Sequence, residues 1–127
     1  MTVLPEGTVL GELQMIEVFE YFDGPRLFSC RNNSDVRFLA VHADEGEVDT
    51  WLYVPVSERR LEALRVGRVD LHTAFANPED GFTYLVSFRG SSVEATAVHA
   101  SSIPSEILPD QGTLLRLSLL SSPSART

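Results

Sequence analysis

The chain has 127 residues, 43% of them hydrophobic and 22% charged, a composition that builds one folded domain with its own core rather than a disordered chain. Its formal net charge is −8, from 18 acidic residues against 10 basic ones, all of them arginine. That balance argues against general nucleic-acid binding, because neutralising phosphates takes a basic surface.

Cys30 is the only cysteine, so the chain closes no internal disulfide and builds no Cys-rich zinc site. No apolar run approaches the ~18 residues of a membrane span, and Met1 to Glu6 lacks the basic-then-apolar order of a secretory signal. A cytoplasmic setting is the expectation. Residues 7–22 begin with Gly7 and Gly11 and then turn apolar through Leu13, Met15, Ile16, Val18 and Phe19, which suits a strand with burial on both faces. Asp23-Gly24 is a tight-turn signal that asks for a positive φ at Gly24. A second strand over 26–31 and a turn at Asn32-Asn33-Ser34-Asp35 follow.

The third strand spans 36–43 and alternates Phe38 and Ala40 with Leu39 and Val41. After Asp44-Glu45-Gly46-Glu47, the fourth spans 49–56, with Leu52, Val54 and Val56 on one face and Trp51 and Tyr53 on the other. The period then changes. Ser57 is an N-cap candidate ahead of Leu61, Ala63 and Leu64, and Gly67 stands at the C′ position of a short helix. Asp70 caps a second short helix whose stripe is Leu71, Ala74 and Phe75, ended by Asn77-Pro78.

Phe82, Tyr84, Val86 and Phe88 share one face of a fifth strand; Val93, Ala95 and Ala97 share a face of a sixth. Residues 101–110, with Pro104 and Pro109, are irregular. Leu115, Leu117 and Leu119 alternate in a last strand that has to find a free sheet edge. The expected fold is α+β: an antiparallel sheet of five to seven strands, opening with a four-stranded N-terminal meander, with a short helical pair packed on one face. Residues 1–120 form the single domain and 121–127 a polar C-terminal tail.

Three stretches carry a resemblance: Tyr21-Phe22-Asp23-Gly24-Pro25-Arg26-Leu27-Phe28-Ser29-Cys30-Arg31-Asn32, Trp51-Leu52-Tyr53-Val54-Pro55-Val56-Ser57-Glu58 and Ala74-Phe75-Ala76-Asn77-Pro78-Glu79-Asp80-Gly81. Over roughly residues 7–90 the chain resembles a family of small bacterial proteins of unknown function. The resemblance implies a bacterial, intracellular accessory protein with no assigned activity, and it brings no catalytic residues.

Each chemical candidate has a plainer competitor. Asp44, Glu45, Glu47 and Asp49 are hard-cation ligands by type, but the run lacks the spacing of a calcium loop and reads as a solvated hairpin turn. His42, His72 and His99 have no helical i, i+4 pair among them; His42 with Asp44 on one strand face supplies two ligands at most. Cys30 reads as a small core residue rather than a nucleophile. The glycines are scattered singly and form no phosphate loop. Catalytic residues, metal and cofactor are therefore all expected to be none.

Trp51, Tyr53 and Tyr21 are the binding candidates if they project from the sheet; if the helices cover them they are core, and core packing is favoured. Leu114, Arg116 and Leu120 are a second set, on the outer side of the last strand, where a homo-oligomer or a partner can pair. The leading function is a non-enzymatic protein–protein interaction module, of immunity or antitoxin type or an accessory subunit of an assembly, with a partner that charge complementarity makes basic. The alternatives are a small metal-dependent hydrolase or nuclease using acidic residues, and a small-ligand sensor with a pocket between sheet and helices.

Overall fold

The structure is a computed structural model that describes residues 2–5, 7–21, 24–44 and 48–115. Seven strands pair in chain order into one antiparallel sheet: β1 (Thr2–Leu4), β2 (Leu13–Tyr21), β3 (Pro25–Arg31), β4 (Arg37–Asp44), β5 (Asp49–Pro55), β6 (Phe82–Arg89) and β7 (Ser92–His99). Two helices, α1 (Glu58–Arg65) and α2 (Leu71–Ala76), lie between β5 and β6. The fold is α+β with an antiparallel sheet, at the upper end of the expected strand number.

Local chemistry explains most boundaries. Ser57 accepts from the Arg60 amide and Asp70 from the Thr73 amide, so both helices start on side-chain caps. Gly67 follows the last turn of α1 at φ +83°, where an L side chain is strained. Asn32 builds the β3–β4 turn by accepting the Ser34 and Val36 amides on its side-chain oxygen. Gly24 has φ +126°, the sign the turn reading requires; Asp23 lies outside the described residues.

Two differences from the sequence reading concern the chain ends. The strand expected within residues 7–22 starts at Leu13, not near Gly7, because Gly7 and Gly11 take positive φ and Gly11 closes a turn onto the Thr8 carbonyl. The short β1 pairs with the start of β2, Thr2 opposite Gln14 and Leu4 opposite Leu13. At the other end Leu115 is fully buried and belongs to no strand, while the rest of the expected last strand, 116–119, lies outside the described residues.

The sheet buries both its faces. One cluster joins Leu27, Leu39, Leu52 and Val54 to Leu61, Leu64, Leu71, Ala74 and Phe75 of the helices and to Leu115. Alternation sends their neighbours the other way, and Phe28, Cys30, Phe38, Ala40, Tyr53 and Val86 form a second cluster with Leu4, Leu10 and Leu13. Leu4 of the first strand and Val86 of the sixth meet in one cluster, so the sheet is curled around that face.

An aromatic cleft on the second sheet face

Trp51 and Tyr53 lie on β5 among the residues of the second cluster, not among those that join the helices. Tyr53 is buried to 1% exposure and Trp51 is half-buried. Tyr53 is thus a core side chain and Trp51 a partly buried one, and among the described residues the cover expected from the helices is absent from their cluster. The two faces of β5 are both apolar, and the cluster that holds Tyr53 gathers β3, β4 and β6 residues together with Leu4, Leu10 and Leu13 from the N-terminal part of the chain.

A cleft of about 310 Å³ opens beside them, and its lining includes Met15, Phe28, Asp49, Trp51, Tyr53 and Phe88. The Trp51 ring centroid is 5.5 Å from Phe28 and 4.9 Å from His42, and Phe28 meets Tyr53 edge-on at 6.2 Å. Among the described residues lining the cleft, Asp49 is the only charged one.

Hydrogen bonds set the position of Asp49. The His42 Nε2 is 2.5 Å from Asp49 Oδ1, and the Trp51 indole N–H donates to Oδ2 at 3.3 Å. The other ring nitrogen of His42, Nδ1, is 2.6 Å from an Arg26 guanidinium nitrogen. A guanidinium only donates and a carboxylate only accepts, so Nδ1 must accept and Nε2–H must donate. Both nitrogens are then spent, and His42 offers no lone pair to a substrate as a general base would. It orients the carboxylate instead.

His42 meets Asp49 across the β4–β5 hairpin rather than Asp44 on its own strand. The pairing of β4 with β5 sets His42 opposite Trp51, and Asp49 shares the face of Trp51 two positions earlier.

A larger cleft of about 530 Å³ lies where β4, β5 and the start of α1 meet, lined by Asp35, Arg37, Glu58, Glu79 and Asp80 among others. Its Glu79 is already engaged, one oxygen accepting from the Ser57 amide and the other from the Ser57 hydroxyl, both at 2.8 Å. Asp35 and Glu58 are largely in solvent, so the groove is a wet, charged rim of α1 rather than a shaped site.

The remaining candidates are dispersed. Tyr21 is 71% exposed at the end of β2 and is not among the residues lining the cleft. Leu114 is half-buried beside Gly67, and Arg116 and Leu120 lie outside the described residues. Cys30 is completely buried, and burial pushes its thiol up to about 12, which leaves no thiolate at neutral pH. Among the described residues no group of three His, Cys, Asp or Glu side chains is placed to hold a metal ion. Nor is any described helix long and apolar enough to cross a membrane.

A family model matches residues 1–126. The chain belongs to DUF6575, a family of unknown function. The match runs past residue 90, where the resemblance read from the sequence stops, so the C-terminal third belongs to the family unit as well. No curated protein and no solved structure matches the chain.

Proposed function

We propose that the protein is a non-enzymatic interaction module that grips another protein through the aromatic cleft. In this reading the helical pair packs on one sheet face as a cover and leaves the second face for recognition. The observation that carries it is Trp51, half-buried on a curled sheet and lining an open cleft beside a carboxylate locked in place by His42. Aromatic residues in partly desolvated pockets are where interface energy concentrates. His42, the group best placed for acid–base work near the cleft, has both nitrogens committed, which favours binding over hydrolysis.

The net charge of −8 suits a basic partner and speeds the encounter with one. An immunity-type or antitoxin-type protein facing a basic enzyme is one concrete form. The test is a comparison of wild type, Trp51→Ala and Arg59→Ala as immobilised bait, Arg59 being exposed on α1 and remote in sequence from the cleft strands. A protein retained by wild type and Arg59→Ala but lost from folded Trp51→Ala supports the reading. Equal retention by all three overturns it.

A further inference from the structure

We propose that the cleft is a guanidinium site, built to take the side chain of an arginine presented by the partner protein. The inference rests on the reading of this face as the recognition surface and adds the chemistry of what enters it.

Charge comes first. The only charged residue lining the cleft among the described residues is Asp49, so an anionic ligand is repelled and a cation attracted. Asp44, at the end of β4, adds a second carboxylate to this hairpin, and the Arg26 guanidinium is engaged with His42 Nδ1.

Hydrogen-bond capacity comes second. Each oxygen of Asp49 accepts one protein donor, Oδ1 from His42 and Oδ2 from Trp51, and a carboxylate oxygen has room for two. The second position on both oxygens together makes the two-point acceptor that a guanidinium matches and a compact ammonium does not.

Tyr53 is the independent observation. It is 1% exposed, lines the cleft, and its hydroxyl has no hydrogen-bond partner among the described residues. A buried hydroxyl left unpaired is costly, so a donor entering the cleft that reached it would be favoured. A guanidinium has five N–H donors and no acceptor, so donors left over from the carboxylate remain for a hydroxyl oxygen of the lining.

Ring geometry comes last. Trp51 and Phe28 offer aromatic surface at 5.5 Å from each other, with Phe88 on the same lining. A flat, weakly hydrated guanidinium stacks on such surfaces. A quaternary ammonium would gain the ring contact but has no N–H for Asp49 or Tyr53.

Trp51 is the only tryptophan, so its emission reports on the cleft alone. The experiment titrates the full chain with N-acetyl-L-arginine-N-methylamide, and in parallel with the citrulline analogue, a neutral molecule of nearly the same shape. The arginine compound is expected to change Trp51 emission saturably in the millimolar range, with the citrulline compound about tenfold weaker or more, and Asp49→Asn is expected to erase most of that difference. Tyr53→Phe is expected to weaken arginine binding while leaving the fold intact, which separates the site from a folding effect.

Equal binding of the two compounds, or a preference that survives Asp49→Asn, overturns the guanidinium site. So does the absence of any saturable response. If the arginine compound fails while Trp51→Ala still loses the partner protein, the ligand chemistry falls and the recognition face stands. If the compound binds as described but Trp51→Ala keeps the partner, the site stands and the recognition reading falls.

Discussion

Replacing Phe75 by alanine removes a ring that is wholly buried between α2 and the residues of the first cluster. Burying a phenylalanine side chain contributes about 1.5–3 kcal/mol of transfer free energy, part of which alanine retains. The ring also leaves a void of roughly 100 Å³, worth about 2 kcal/mol at ~24 cal/mol per Å³ if the surroundings do not collapse. The Phe75 carbonyl, which accepts the Thr83 hydroxyl at 2.8 Å, is backbone and survives the change, so the loss is one of packing.

The two contributions together give about 3–5 kcal/mol, a large share of the ~5–15 kcal/mol that holds a domain of this size. Urea unfolding followed by far-ultraviolet circular dichroism measures it as a drop in midpoint at unchanged slope. Phe75→Leu is the control, expected to cost about 1.5 kcal/mol or less because volume is nearly kept. A loss below about half a kcal/mol for Phe75→Ala would show that α2 is not docked as described.

Asp70 should make stability depend on acid. Hydrogen bonds from the Thr73 side chain and from the Gly112 and Thr73 amides hold its carboxyl down at about 2. A depressed folded-state value stabilises above the unfolded value of 3.8, and that contribution disappears as the pH falls from there toward about 2. The stability gap between wild type and Asp70→Asn should therefore be full at pH 6 and shrink at pH 2.5; a gap that does not change with pH contradicts the hydrogen-bond assignment. Cys30, sealed in the second cluster, should resist alkylation by iodoacetamide in the native protein and react on unfolding, and rapid native labelling would show that this core is open. Truncation after Asp110 deletes Leu115 from the first cluster together with the Gly112 amide bond to Asp70 and the Leu71 amide bond to Thr113. It should cost about 3 kcal/mol or more, and a truncated chain as stable as the full one would mean that this segment is not core.

The strands from β2 to β7 are legible from their apolar patterning, with Gly24, Asn32 and Gly90 turning the chain between β2 and β3, β3 and β4, and β6 and β7. The helices are legible from Ser57 and Asp70, whose side chains do cap them. Thr2–Leu4 escapes because three residues before a proline carry no period; only its partner on β2 makes it a strand. The second core escapes for a different reason. Alternation shows that Leu52 and Tyr53 face apart, but both faces are apolar, and which one the helices join depends on the curl of the whole sheet. The carboxylate of the cleft was visible as one of four acids in a turn; its distinction lies in register, which brings Asp49 to His42 and Trp51.

The central claim is that recognition happens on the face of Trp51, and not in the acidic groove beside α1. Proton–nitrogen correlation spectra of the labelled protein separate the two during titration with a basic partner peptide, because the sole indole N–H belongs to Trp51. The account predicts saturable shifts of the Trp51 indole and of the amides of Asp49, Tyr53 and Phe88. Shifts confined to Asp35, Glu58 and Asp80, with the indole unmoved, would contradict it.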